Sequence, residues 1–330
     1  MTFKVDIRVP VGRPIPELAE FIRTCEDAGL QGVGIHDHHH SGRDVYVALA
    51  LAAARTERLT LFPATSNPVT RHPLVLASSI NALAEIAPGR ILATLAPGFL
   101  SVEKAGRPQA RRDQIGQVVT IVRELLHGRS ADLDGHELRM KNPIAPAPEV
   151  YVLAAGPKML ELAGEVADGV LMLVGLHPDA IQLARGHVRA GERRAVRAPG
   201  SVKEIFIVPT AIEDFATARE WPRTWFRPGK SFLTYPSVSN LRWLRMAGIA
   251  LADDHDPADI SPQLAKRICD AFGLFGPPEY CAERLLQAQE TSGVEHVFLF
   301  PSHNAETGYD LPENEIKAFA AVIGPRMAAG

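Results

Sequence analysis

The chain has 330 residues, 46% of them hydrophobic and 22% charged, with a formal net charge of −3. That composition buries a large core and excludes a disordered chain, and the small net charge gives no footing for a nucleic-acid or anionic-membrane partner. No apolar run approaches the ~18 residues of a membrane span, the N-terminal stretch lacks a basic segment followed by a long apolar one, and Cys25, Cys269 and Cys281 are far apart without metal spacing. The expectation is a cytoplasmic, enzyme-sized protein with reduced thiols.

Residues 3–9 alternate and are rich in β-branched side chains, a first strand. Pro14 and Pro16 open a helix in which Leu18, Phe21, Ile22 and Cys25 recur at helical spacing, and Gly29 suits its end. Residues 32–35 form a second strand that runs into His36, Asp37, His38, His39 and His40, followed by a helix over about 44–55. A third strand rich in Leu, Phe and Thr begins at Leu59 and breaks at Asn67-Pro68 into a polar turn. Pro73 then takes the first position of a helix that continues to Ala87.

Residues 90–95 form a fourth strand, interrupted at Pro97-Gly98, with a long amphipathic helix over about 108–127. A small hairpin over 132–140 turns at Asp134-Gly135. Strand five (150–154) leads into a helix over 157–167, strand six (169–174) into a helix from about Pro178, and strand seven is 202–208. Residues from about 210 to 262 differ: they hold Trp221, Trp225 and Trp243, several prolines and the run Asp253-Asp254-His255-Asp256, and read as an insertion of loops and short helices. A helix over about 278–291, an eighth strand (294–300) and a terminal helix (312–323) complete the chain.

Eight apolar strands separated by helices predict a single α/β domain over 1–330, a (β/α)₈ TIM-like barrel with an insertion after strand seven. The competing open doubly wound sheet would carry a GxGxxG turn after strand one and gather its functional loops at one crevice. Neither pattern occurs in this sequence.

In a barrel, function sits at the carboxyl ends of the strands. The loop His36 to His40 leaves such an end, and its chemistry suits a proton donor or base with Asp37 orienting a neighbouring imidazole. A loop of solvated histidines and a metal site are its other readings. Consecutive side chains in an extended loop point in alternating directions, which disfavours metal ligation without partners from elsewhere. Ala155-Gly156-Pro157-Lys158-Met159 opens a helix after strand five, where free backbone N–H groups attract an anion such as phosphate; an ordinary helix start reads the same. Arg71 and His72 suit either a negative ligand or bonds to neighbouring loops. Arg223, Trp225, Arg227, Lys230 and Tyr235 suit either a lid or a subunit interface.

Ser66-Asn67-Pro68-Val69-Thr70-Arg71-His72-Pro73 resembles the T-N-P-x-T-R-H-P segment of the luciferase-like monooxygenase superfamily. Within it the chain is similar to the branch that uses the deazaflavin coenzyme F420, typified by methylenetetrahydromethanopterin reductase. The stretch from Ala155 to Val170, the pair Asp37-His38 and the closing Gly293 to Val297 fit the same pattern. The resemblance implies a barrel whose strand ends carry an isoalloxazine-type ring. A bulged third strand with a cis peptide, here Ala64–Thr65, would support the ring, with Asn67 touching it. Ala155, Gly156, Lys158 and Met159 would bind the cofactor phosphate, and Asp37 and His38 would contact the cofactor, His38 as acid or base. A homodimer is also implied. One departure stands out. Relatives end strand four in a glycine-rich turn followed by an acid, whereas this chain reads Thr94-Leu95-Ala96-Pro97-Gly98-Phe99, retaining Gly98 alone.

The expected function is an F420-dependent oxidoreductase passing a hydride between the deazaflavin and a small organic substrate. The alternatives are an FMN-dependent monooxygenase, a barrel that only binds, and, more remotely, a metal hydrolase built on the histidines.

Overall fold

The structure, a computed structural model, describes residues 3–224 and 239–329. Eight parallel strands alternate with helices: β1 Lys4–Val9, β2 Gly32–Ile35, β3 Thr60–Pro63, β4 Leu92–Leu95, β5 Glu149–Ala154, β6 Gly169–Met172, β7 Lys203–Ala211 and β8 His296–Pro301. Their spatial order is β3-β2-β1-β8-β7-β6-β5-β4. Bridges from Leu61 to Ile91 and from Ser66 to Leu95 join β3 to β4 and complete the circuit. The first and last strands lie side by side, with Lys4 opposite His296 and Ile7 opposite Leu299. The chain is therefore a closed (β/α)₈ barrel.

The alternation that made the strands visible divides their side chains between two cores. Phe62, Tyr151, Leu171, Ile205, Ile207 and Phe298 fill the barrel interior, with the Phe62 and Phe298 rings edge to face at 5.2 Å. The other faces meet an outer ring of helices: α1 Ile15–Asp27, α2 Val45–Arg55, α3 Pro73–Ile86, α4 Arg112–Leu126, α5 Pro157–Val166, α6 Pro178–Arg194 and α7 Pro278–Ser292. Proline opens α3, α5, α6 and α7, where its missing N–H costs nothing. The side chain of Asp44 caps α2 by accepting from the N–H groups of Tyr46 and Val47.

Three stretches depart from the sequence reading. The helix expected over 108–127 begins only at Arg112, because the residues before it are tied to the cavity rim: the Arg107 N–H bonds Val102 O and the Ala110 N–H bonds Pro97 O. A short helix, Leu100–Lys104, precedes them. The terminal helix is not uniform, since Glu313–Ala318 passes through a π-helical segment, Phe319–Ile323, into Gly324–Ala329. After β7 the chain forms helices Phe215–Ala218, Ser239–Met246 and Pro262–Phe272 and a two-residue strand, Leu274–Phe275, paired with β7. Ordered structure thus starts before the expected limit of the insertion and extends past it. Trp225, Arg227, Lys230 and Tyr235 lie outside the described residues.

Candidate functional site

At the carboxyl ends of the strands lies a cavity of about 390 Å³. Its floor is apolar, formed by Leu153, Leu173, Ile207 and Phe300 from β5, the residue after β6, β7 and β8. His36, His38 and His303 make one wall, while Ala64, Thr65, Gly98 and Phe99 make another. Ala155, Gly156 and Met159 close a third side beside Ser239 and Asn240 of the insertion.

The third strand leads into this wall as the sequence suggested. The peptide bond Ala64–Thr65 is cis. The Ala64 N–H bonds Ile35 O at 2.6 Å, the Ser66 N–H bonds Thr94 O at 3.1 Å and the Ala96 N–H bonds Ser66 O at 2.9 Å. The bulge is thereby stitched to both neighbouring strands.

Asn67 is fully buried and does not line the cavity. Its carbonyl oxygen accepts from the Val69 and Thr70 N–H groups, both at 3.0 Å, and from the Thr70 hydroxyl. Its amide donates to Ser101 Oγ at 3.3 Å. It shapes the loop behind the cavity wall.

Asp37 is buried and accepts from Arg71 Nε and Nη2, each at 3.0 Å, and from Ser66 Oγ at 2.7 Å. The Tyr46 hydroxyl lies 2.9 Å from the same Ser66 Oγ. Arg71 also bonds Asp44 at 2.7 Å and stacks 4.7 Å above the Tyr46 ring. Its charge is therefore spent on two carboxylates, which corresponds to the loop-bonding reading of Arg71. The imidazole nearest to Asp37 is that of His39, with Nδ1 at 3.4 Å from Oδ1 and Nε2 at 2.9 Å from Thr70 Oγ1. The structure does not pair Asp37 with His38.

His38 instead belongs to a cluster that the sequence reading did not assemble. Its ring lies 4.5 Å from that of His36, tilted by 41°, and its Nδ1 lies 3.3 Å from the Tyr309 hydroxyl. The buried Arg8 of β1 bonds His36 Nε2 and Gly308 O, and its Nη1 lies 3.1 Å from His303 Nδ1. Its guanidinium lies 4.9 Å above the Phe300 ring. Burial first, and the Arg8 charge second, hold His36 and His303 well below the ordinary histidine pKa. The same two causes push His38 down to about 3. All three imidazoles are neutral at physiological pH. Among the described residues no group of three or more His, Cys, Asp or Glu is placed to hold a metal ion.

The sequence offered one signal for His303, its position just past the eighth strand; it offered none for Arg8, an isolated cation within a strand. The three cysteines are buried, and burial pushes the Cys25 and Cys281 thiols up to about 12, so they serve as packing rather than as nucleophiles.

The fourth predicted element is the start of α5. Gly156 is its N-cap, with no side-chain capping bond; Pro157 has no N–H and the Met159 N–H bonds Gly156 O at 3.1 Å, which leaves the Lys158 N–H as the donor open to a ligand. A Cβ on Gly156 would come within 2.9 Å of Ser239 Oγ, so the glycine leaves open a narrow cradle between α5 and the insertion. The Trp243 indole N–H donates to Ala155 O at 2.8 Å and fastens the insertion to this turn. Lys158 is exposed and does not line the cavity. Phe99, after Gly98, contributes an aromatic wall to the cavity.

A family model described as luciferase-like monooxygenase matches residues 1–296. The chain belongs to the luciferase-like monooxygenase family. It is 30% identical over 314 residues to a 5,10-methylenetetrahydromethanopterin reductase of Methanolobus tindarius, covering 86% of this chain and 90% of the relative. It is 29% identical to an F420-dependent hydroxymycolic acid dehydrogenase of Mycobacterium tuberculosis, over 61% of each chain. Among solved structures, the coenzyme F420-dependent tetrahydromethanopterin reductase of Methanopyrus kandleri superposes with a TM-score of 0.74 at 22% identity, covering 99% of this chain and all of that one. This last likeness concerns the fold. The protein is thus an oxidoreductase of the luciferase-like family, and no described helix is long and apolar enough to cross a membrane.

Proposed function

We propose that this chain is a coenzyme F420-dependent oxidoreductase that passes a hydride between the deazaflavin and a small organic substrate, with His38 handling the accompanying proton. The observation that carries the reading is the meeting, in one cavity, of the Ala64–Thr65 bulge, the uncapped start of α5 and His38. An apolar floor suits a planar ring, and the open helix start at Gly156 and Lys158 suits the phosphate of its side chain. The names of two relatives, an F420-dependent hydroxymycolic acid dehydrogenase and an F420-dependent glucose-6-phosphate dehydrogenase, favour F420 over FMN. When bound, the reduced deazaflavin supplies the hydride. The chain's own work is to seat the ring on Leu153, Ile207 and Phe300, to hold Thr65 through the Ser66 bonds to β4, and to present His38 beside the reacting atoms. Asp37 acts through Arg71, Ser66 and His39 as a positioning residue.

The working form we propose is a cytoplasmic homodimer of one barrel domain per chain. Supporting the dimer, Val47 of α2 and Val75 of α3 are 55% and 51% exposed on neighbouring, largely apolar helices, a surface suited to a second copy. Light scattering tests it, and a monomer at micromolar concentration would refute it.

Titration with F420 and FMN side by side, in both redox states, decides the cofactor. Tight FMN binding without F420 binding would overturn the reading. The second reading, an FMN-dependent monooxygenase, is favoured by the apolar walls and by the cover that Ser239 and Asn240 provide, since such chemistry needs water kept out. Turnover under strict anaerobiosis excludes it. Binding of neither cofactor would favour the non-catalytic barrel.

A further inference from the structure

We propose that Tyr309 and His40 form a proton relay from solvent to His38, so that His38 passes protons through its ring by exchanging tautomers. The inference rests on the oxidoreductase reading above and deepens it. Three groups lie in sequence from the cavity outward: His38 lines the cavity, the Tyr309 hydroxyl is 3.3 Å from His38 Nδ1, and His40 Nε2 is 2.8 Å from the same hydroxyl. His40 is exposed. Among the described residues His38 Nε2 has no hydrogen-bond partner, which leaves it for a ligand in the cavity.

The need for a relay follows from the surroundings of His38. Arg8, His36 and His303 lie on its inner side, with His39 and His40 on its outer side. Their combined effect with burial disfavours an imidazolium, so His38 holds no stored charge to give away. A neutral imidazole still delivers a proton if one nitrogen loses N–H as the other gains it. The His38 Nε2–H bond breaks as a bond from that proton to a basic atom of the substrate forms. The Tyr309 O–H bond breaks as Nδ1–H forms, and the His40 Nε2–H bond breaks as a new Tyr309 O–H forms. His40 Nδ1 takes up a proton from solvent in the same movement, so His40 stays neutral throughout. No electrons change hands within the relay, and one proton enters the cavity per cycle. The relay resets when product leaves and cavity water exchanges with bulk: Nε2 takes a proton from that water as the Nδ1 proton returns outward through Tyr309 and His40, and in bulk it neutralises the hydroxide so formed.

The fold holds Tyr309 in place with some care. Arg8 Nη2 donates to Gly308 O at 2.8 Å, and Asn304 Oδ1 accepts from the Glu306 and Thr307 N–H groups at 2.8 and 3.0 Å. A Cβ on Gly12 would lie 1.8 Å from Tyr309 O, so the loop after β1 is shaped to admit this backbone. Burial raises the Tyr309 phenol pKa, which keeps the hydroxyl protonated and able to donate and accept at once. His40, lowered by partial burial, Lys104 and His39, still exchanges with solvent.

The first test uses the protein without cofactor. Nitrogen NMR of histidine-labelled protein, with His38 assigned from His38→Gln, is expected to show one fixed Nε2–H tautomer for His38 and a mixture in Tyr309→Phe. Identical His38 signals in the two proteins would overturn the relay. The second test is kinetic: Tyr309→Phe and His40→Gln are each expected to lower kcat about tenfold, below the usual range for loss of a proton-transfer group, with KM for F420 unchanged and kcat restored by added imidazole. His40→Gln alters an exposed side chain and keeps the test valid if Tyr309→Phe does not fold. Unchanged kcat in both variants, or a loss that imidazole does not restore, would also overturn the relay. Failure of the wild-type protein to bind F420 would overturn the F420 reading separately, while the NMR comparison still decides whether the hydrogen-bonded chain exists.

Discussion

Arg71 grips Asp37 through two hydrogen bonds of 3.0 Å each, with no solvent reaching the carboxylate side chain and little reaching the guanidinium. A buried pair of this kind is costly to break from one side, because the remaining charge has lost its partner. Arg71→Ala is expected to destabilise the fold by about 3 kcal/mol, with Ser66 Oγ and His39 offsetting part of the loss. Arg71→Lys should cost less but still over 1 kcal/mol, roughly the worth of one lost charge-assisted hydrogen bond. Urea unfolding checks both, and a change below about 0.5 kcal/mol, the range of ordinary surface substitutions, would show that the pair is not structural.

The histidine cluster makes stability depend on pH. His36, His38 and His303 each have a folded-state pKa below that of the unfolded chain. As pH falls below about 6.5 the unfolded chain takes up these protons first. The stability from keeping these imidazoles neutral is complete above that pH and is lost progressively below it, at about 1.4 kcal/mol per pH unit for each histidine. For His38 the loss continues to about pH 3. The urea midpoint should therefore drop steeply between pH 6.5 and 5.5, values chosen at and about one unit below the ordinary histidine pKa, and His303→Gln should flatten the slope. A midpoint constant over that interval would refute the account.

Trp243 ties the insertion to the turn before α5, at the edge of the cavity, through Ala155 O. Trp243→Phe keeps most of the buried ring but orphans that carbonyl, at a cost of about 1–3 kcal/mol. The turn at Ala155 and Gly156 should loosen with it, and cofactor affinity should fall even though Trp243 does not line the cavity. Fluorescence titration checks this. Undiminished affinity alongside lost stability would restrict Trp243 to packing.

Gly156→Ala places a methyl group where Ser239 Oγ stands 2.9 Å away. The backbone there, φ −120° and ψ 159°, suits alanine, so thermal stability should change by less than about 1 kcal/mol. Cofactor affinity should fall about tenfold as the cradle fills, equivalent to 1.4 kcal/mol. Lys158→Ala, altering an exposed side chain off the cavity, should have a smaller effect that fades with salt. Equal losses in the two variants would mean that charge, not the cradle, governs binding.

The strands and most helices were legible because their apolar runs are short, periodic and bounded by Pro or Gly. The helix Pro262–Phe272 escaped notice although its signals were present: Ser261 caps it, Pro262 opens it, and Ala265, Ile268, Cys269 and Phe272 recur on one face. The crowding of prolines and acidic residues before it masked that period. The cavity was legible in outline, since Gly98, Gly156 and His38 follow strand ends, while Ala64 and Thr65 were implied by the family resemblance alone. What escaped was pairing at a distance. Nothing near Asp37 in sequence says that Arg71, 34 residues on, will take both its oxygens. Arg8 lies 295 residues from His303 and 300 from Gly308, separations that only the closed barrel brings together.

That closure bears on how the protein is made. β1 emerges from the ribosome first and its barrel neighbour β8 nearly last, and Arg8 has neither His303 nor Gly308 to bond until the final part of the chain arrives. The nascent barrel is an open sheet with a buried-type cation at its edge for most of synthesis, a slow, non-local assembly of the kind that exposes intermediates to aggregation. A chain stopped before Gly308 would keep all eight strands yet lack the Gly308 carbonyl that Arg8 bonds and the Tyr309 hydroxyl beside His38, so the histidine cluster is completed only after the barrel itself.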